Sequence, residues 1–206
     1  MNKKTKSIIT MGIWQDNAIF RQILGICSAL AVTNLMINSL VMGLGLIFVT
    51  AFSELTVSFL RQHTPKHIRM MVQTLIISAY VIMVDIFLKA FFPAMSEALG
   101  PYVGLIITNC IIMGRCESFA QKNPPGYAFL DGMASGAGYA IILLIIAFFR
   151  ELLGFGSIFN INILGESWVS WTLMIMPPGA FFMLAIVIWI SKNIFKEKPE
   201  NGGAKV

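Results

Sequence analysis

LGICSALAVT, residues 24–33, is the stretch on which the reading of this chain turns. It is an apolar run with Cys27 near its middle, so a thiol sits among aliphatic side chains. The span that holds it, residues 20–33, reaches only about two-thirds of the way across a hydrocarbon core at ~1.5 Å per helical residue. Much later YVGLIITNCIIMG, residues 102–114, repeats the design around Cys110. The two runs look like matching halves of one device.

The surrounding composition says where that device sits. Of the 206 residues, 57% are hydrophobic and only 12% charged, and the mean hydropathy is +0.78. A soluble domain carries about 25% charged residues. Apolar runs follow one another with short breaks, the pattern of a polytopic membrane protein. Backbone in lipid must satisfy itself, which leaves helices or a closed barrel. A barrel shows ~10-residue alternating segments, whereas Ile, Leu, Met and Phe come here in unbroken blocks. The fold class is therefore all-α membrane protein.

The net charge of +5 does not signal nucleic acid, because the cations lie in loops and tails, where membrane topology explains them. Lys3, Lys4 and Lys6 resemble the start of a signal peptide, but Trp14-Gln15-Asp16-Asn17 interrupts the apolar run and no small-residue cleavage site follows. Residues 1–19 are expected to be a retained cytoplasmic tail. Three cysteines are too few for a disulfide framework.

Six transmembrane spans are expected. A first three-span unit covers residues 20–92, with a basic loop from Arg61 to Arg69. Residues 93–101 form an external loop with Glu97 and no Lys or Arg. A second unit covers residues 102–190, with a polar Pro-Pro turn before its second span and Pro177-Pro178-Gly179 kinking its third. Residues 191–206 are a basic cytoplasmic tail. With the N-terminus inside, every one of the 15 Lys and Arg except Lys89 and Arg150 falls on the cytoplasmic side, as the positive-inside rule demands. Both termini are then expected on the cytoplasmic side.

Both units read short–long–long, each short span holds a central cysteine, and each second span ends in a bulky pair and arginine, Phe59-Leu60-Arg61 and Phe148-Phe149-Arg150. Three spans per unit is odd, so the second unit enters from the opposite face. The expectation is an inverted 3+3 repeat, with spans 1 and 4 short and functional groups near its midplane axis.

That repeat relates Cys27 to Cys110. A membrane cysteine often serves only as a small apolar residue. Two at equivalent positions invite metal ligation, since a thiolate in lipid needs a cation to neutralise it. A [2Fe–2S] cluster takes four ligands, this chain offers two at the right depth, and a second protein chain would supply the rest. A disulfide would only staple two spans. Cys116 lies on another face and reads as structural.

Charges within spans are expensive and are usually functional or paired. Asp85 and Lys89 stand at i, i+4 and can neutralise each other. Glu54, in Ser53-Glu54-Leu55-Thr56, has hydroxyl neighbours and no cation in its own helix, which makes it the candidate for an ion pathway. Asp131 is expected to cap the fifth span. Asn109, beside Cys110, is placed to hydrogen-bond a cluster sulfur or to satisfy broken backbone. Gly43, Gly45, Gly132, Gly136 and Gly138 suit close helix packing. They follow no strand, which excludes a dinucleotide fingerprint. His63 and His67 flank a Thr-Pro turn and read as solvated.

At LGICSALAVT and GLIITNCIIMGR the chain resembles a family of membrane subunits common to two redox complexes. One member is the D-type subunit of the Na⁺-translocating NADH:quinone reductase, and its relative is the E-type subunit of the Rnf electron-transport complex. The likeness runs from about Trp14 to Trp189. It includes Arg61…Pro65…Ile68-Arg69, Val84-Asp85…Leu88-Lys89-Ala90, Phe129-Leu130-Asp131-Gly132 and Arg150-Glu151-Leu152. The resemblance implies membership of a redox-driven, multisubunit ion translocase, with no complete active site and no catalytic residue in this chain. It implies a [2Fe–2S] cluster held with a homologous six-span subunit of opposite orientation, two cysteines from each chain. The matching positions here are Cys27 and Cys110, with Gly25, Thr108 and Asn109 around them. Flavin and iron–sulfur subunits would be the other partners. Cys116 has no place in the pattern, and relatives usually carry alanine there. Ile26-Cys27-Ser28-Ala29 and Val72-Gln73 favour the quinone-reductase branch; Gly12-Ile13-Trp14 and Pro177–Phe181 favour Rnf.

Two other classes compete. A secondary transporter would work alone with polar substrate ligands at the midplane, of which this chain has few. A structural scaffold would tolerate alanine at both cysteines.

Overall fold

The computed structural model describes residues 24–91, 93–155, 157–158, 161–162 and 176–194. The expected N-terminal tail, residues 20–23 of the first span and the basic C-terminal tail lie outside these residues. The described chain is helical apart from a two-residue antiparallel pairing of Ser157–Ile158 (β1) with Ile161–Asn162 (β2). In order the helices are α1 (Ile26–Val32), α2 (Met36–Leu60), α3 (Arg69–Phe91), α4 (Pro93–Ile107), α5 (Cys110–Arg115), α6 (Pro125–Phe155) and α7 (Pro177–Ile194). Among the described residues four stretches are long and apolar enough to cross a membrane: Met36–Leu60, Arg69–Phe91, Tyr102–Ala120 and Pro125–Gly154.

Helices α4, α6 and α7 each open on a proline, Pro93, Pro125 and Pro177. Proline suits a first helical position, where its missing N–H costs nothing and its fixed φ is already helical. This corrects two expectations. Residues 93–101 are not a loop, because Pro93 starts a helix rather than only ending one. The fifth span does not begin at Asp131 but at Pro125, so Asp131 is not a cap. The kink expected at Pro177 falls where the preceding residues, 171–175, lie outside the described residues.

The core lies where α2 crosses α6, the most extensive contact in the bundle. Glycine on α6 lets the backbones meet. A Cβ at Gly132 would lie 2.8 Å from Ala51 Cα and 3.0 Å from the Thr50 carbonyl, and one at Gly136 2.9 Å from Ile47 Cα. Gly43 on α2 faces Ala140 in the same way, at 2.9 Å. Leu46, Val49, Leu143 and Ile146 fill the space between. The glycine pattern thus serves packing within this chain.

The helices break at two places beside the thiol-bearing runs. Between the first short span and the next, α1 stops at Val32 and α2 begins at Met36. Within the second short span, α4 stops at Ile107, Thr108 and Asn109 break the helix, and α5 resumes at Cys110. One span over residues 102–114 was expected there, with Asn109 placed to satisfy broken backbone. The stretch is broken, and it continues past Gly114 through a π-helical turn, Cys116–Ala120. A broken helix survives in lipid only if its freed backbone groups find partners. They do. At the first break Thr33 Oγ1 donates to Ala29 O at 2.6 Å, and Ser39 Oγ lies 3.2 Å from both Val32 O and Leu35 O. Arg150 Nη1 donates to Thr33 Oγ1 at 2.6 Å, and the Met36 N–H donates to Glu151 Oε2 at 2.6 Å. Arg150 was expected outside the membrane at the end of its span. It is buried, because α6 runs on to Phe155.

Candidate thiol site at two helix breaks

Cys27 is the second residue of α1 and Cys110 the first of α5, so each thiol sits in the first turn of its helix. Both are free and exposed, while Cys116 is free and fully buried. The two helix starts are defined by Gly25 and Asn109. Gly25 caps α1 with φ 81°, a left-handed backbone that glycine adopts without steric cost. Its missing side chain also leaves room for a neighbour, since a Cβ there would lie 2.5 Å from Ile111 Cδ1 and 3.0 Å from the Tyr139 ring. Asn109 caps α5, accepting the Ile111 N–H at 3.1 Å through Oδ1, as an Asn N-cap does.

The two helix starts are tied together by buried polar groups. With Oδ1 accepting from Ile111, the Asn109 amide must donate through Nδ2, and it does so to Ser28 Oγ at 3.2 Å. Ser28 shares a 2.5 Å hydrogen bond with the Tyr139 hydroxyl, and Tyr139 donates to the Gly25 carbonyl at 2.9 Å. Ser28, Asn109 and Tyr139 are all buried. The chain of bonds therefore runs from the start of α5, through the residue after Cys27, to the residue that starts α1. Both thiols lie within electrostatic reach of the Tyr139 hydroxyl.

Of the residues expected around the thiols, Gly25 and Asn109 are brought together here. Thr108 is exposed, and its carbonyl lies 4.0 Å from Cys110 Sγ. Ser28 and Tyr139 were missed. Ser28 adjoins Cys27 in sequence and was open to notice, whereas Tyr139 is 111 positions further along and carries no local signal.

Two thiols are half the donors of a four-thiolate centre. Among the described residues no three His, Cys, Asp or Glu converge as a metal site. The donor set fits a thiolate-ligated group only as one half, presented on an exposed face where a second chain can add the rest. An open groove of about 610 Å³ lined by Arg69, Met113, Glu117 and Lys122 lies elsewhere, with neither thiol in its wall.

Glu54 occupies a separate place. It is fully buried on α2, and neither carboxylate oxygen has a hydrogen-bond partner among the described residues. It lies within electrostatic range of Asp131 and Arg115. Those two form a buried pair at 3.4 Å, and Arg115 Nε also donates to Ser135 Oγ at 2.9 Å. Asp131 is thus an ion-pair partner on the second turn of α6, a role no local pattern announced. The other intramembrane pair is as expected: Lys89 Nζ reaches Asp85 Oδ2 at 2.6 Å on the exposed face of α3. His63 and His67 are exposed in the loop before α3.

Comparison with known proteins places these features. The family described as Rnf-Nqr subunit, membrane protein, matches residues 5–188. The chain is 47% identical over 208 residues to the D subunits of the Na(+)-translocating NADH-quinone reductases of Shewanella sp. (strain W3-18-1) and Shewanella putrefaciens (strain CN-32 / ATCC BAA-453), with 98% of each chain covered. It is 46% identical, at the same coverage, to the protein of that name from Shewanella baltica (strain OS155 / ATCC BAA-1091). The helical membrane architecture and the match over nearly the whole length agree: the chain belongs to the Rnf-Nqr family of membrane subunits.

Proposed function

We propose that this chain is an electron-transfer subunit of an ion-translocating NADH:quinone reductase, contributing Cys27 and Cys110 to a [2Fe–2S] cluster shared with a homologous six-span subunit. The observation that carries this reading is the placement of two exposed free thiols in the first turns of two helices whose starts are joined by buried hydrogen bonds, with too few donors among the described residues to close a metal site alone. The cluster, when bound, supplies a one-electron carrier inside the membrane. The chain's own residues present the thiols, hold their spacing and exclude water behind them with Ile111, Ile112 and Tyr139, all nearly fully buried.

The reading includes the inverted 3+3 arrangement, with both termini on the cytoplasmic side of a bacterial inner membrane. The short helices α1 and α5, each followed by a long span, support the repeat. The high identity to quinone-reductase subunits supports that branch over the Rnf branch. Cation passage is assigned to Glu54, the buried carboxylate without a hydrogen-bond partner among the described residues.

The test is the cluster signal in the complex purified with its neighbouring subunits. Cys27→Ala and Cys110→Ala each remove the intramembrane [2Fe–2S] spectrum, while Cys116→Ala keeps it. A full-strength spectrum in both of the first two variants rejects the proposal. Ion flux by the lone chain in liposomes would favour a secondary transporter instead.

A further inference from the structure

The geometry points to Tyr139 as a positioning residue that sets the separation of Cys27 and Cys110 through Ser28 and Asn109. The inference rests on the reading of the two cysteines as paired ligands, and it concerns residues that reading does not use.

Among the described residues, neither cysteine side chain has a hydrogen bond fixing its helix to the other. What joins the two helix starts is the line Ile111 N–H to Asn109 Oδ1, Asn109 Nδ2–H to Ser28 Oγ, Ser28 to Tyr139, and Tyr139 to the Gly25 carbonyl. Each member is adjacent or next but one to a thiol-bearing residue, except Tyr139. Tyr139 comes from α6, the long helix that anchors the core, so it supplies a fixed external reference for both helix starts. Ser28 Oγ also lies 3.2 Å from the Gly25 carbonyl, so Ser28 and Tyr139 converge on that acceptor, and with Tyr139 donating to Gly25 the Ser28 hydroxyl donates to Tyr139. In that arrangement Asn109 donates to Ser28, and every link is satisfied in one direction.

Packing closes the same joint. Gly25, Ile111 and the Tyr139 ring are in contact with no space for a methyl group between them. Removing the Tyr139 hydroxyl leaves the Gly25 carbonyl with contacts only from α1 itself, the Ser28 hydroxyl at 3.2 Å and the Ala29 N–H at 3.3 Å, so the tie to α6 is lost and the α1 start is free to shift against α5. Cluster ligands must hold their spacing to fractions of an ångström for rapid electron transfer without rearrangement. A polar line buried among aliphatic side chains supplies that rigidity at the place where both helices start.

The experiment uses the full-length chain with Cys116→Ala in lipid nanodiscs, spin-labelled at Cys27 and Cys110, and reads the inter-label distance distribution by dipolar EPR. Tyr139→Phe should at least double the width of the distribution. Ser28→Ala should do the same. Tyr80→Phe, which loses a comparable 2.8 Å bond to Thr56 elsewhere in the bundle, should leave it unchanged. In the assembled complex Tyr139→Phe should shift the reduction potential of the cluster while the cluster stays bound. An unchanged distribution in Tyr139→Phe and Ser28→Ala overturns the inference, and so does equal broadening in Tyr80→Phe. Failure of both Tyr139→Phe and Ser28→Ala to insert and fold also overturns it, because the line would then serve the fold and not the spacing. If the cysteines bind no cluster, the distance measurement still stands alone, so the two proposals fail separately.

Discussion

Arg150 and Thr33 meet through a 2.6 Å hydrogen bond between residues 117 positions apart. The same guanidinium reaches the Leu30 and Met176 carbonyls at 3.5 Å each. One side chain on α6 therefore serves the end of α1 and the start of α7. Arg150→Met removes these donors and leaves the buried Thr33 hydroxyl without its charged partner, at about 1.5–3 kcal/mol for a bond to a charged group. Unfolding of the full chain in detergent should show that loss. Arg150→Lys should recover only part of it, because a single ammonium cannot spread over several acceptors as a guanidinium fork does. An unchanged midpoint in Arg150→Met would show that the break is held by other means.

The contact of α2 with α6 is equally specific. Gly132→Ala would put a Cβ 2.8 Å from the Ala51 backbone, which cannot rotate aside. Overpacking of this kind typically costs about 1–3 kcal/mol. Gly104→Ala is the control, since nothing lies within 4 Å of its added Cβ. The first variant should lower the unfolding midpoint and the second should leave it level or slightly raised. Equal effects would remove the close-packing argument.

These residues show where the sequence was readable. Hydropathy located α3 to within a residue at each end, because a uniformly apolar run bounded by Arg69 and Pro93 leaves no choice. It placed the glycines at an interface, and it paired Asp85 with Lys89, where four-residue spacing decides the matter. It did not reveal the break at Thr108 and Asn109. A break of two residues barely alters average hydropathy, and its signature is one cap, Asn109 accepting from Ile111. Nor could it pair Arg115 with Asp131 or Arg150 with Thr33, since such partners meet only after helices pack. At the thiol site the two cysteines and their immediate neighbours were legible. Tyr139, which joins them, was not.

Thiol chemistry separates the cysteines directly. Cys27 and Cys110 are exposed and Cys116 is completely buried. A small maleimide should label two thiols rapidly on the isolated chain and reach the third only on unfolding. In the complex, the first two should be protected by the neighbouring membrane chain. Rapid labelling of Cys116 in the folded chain, or of Cys27 and Cys110 in the intact complex, would contradict the assignment.

Glu54 gives the most decisive variant for ion movement. A buried carboxylate without hydrogen-bond partners is costly and is retained in membrane spans mainly where charge must be carried or balanced. Its electrostatic neighbours are the opposed charges of Asp131 and Arg115, so a cation or proton arriving at Glu54 meets a site already partly balanced. Glu54→Gln keeps the shape and removes the ionisable group, so the packing of α2 against α6 should persist with an unchanged unfolding midpoint. Electron entry from NADH should then continue near its normal rate while ion translocation falls several-fold. That outcome would place Glu54 on the ion's path rather than the electron's. An unchanged ratio of ions to electrons, at an unchanged rate, would take Glu54 off both, leaving it a tolerated polar residue beside the Arg115–Asp131 pair.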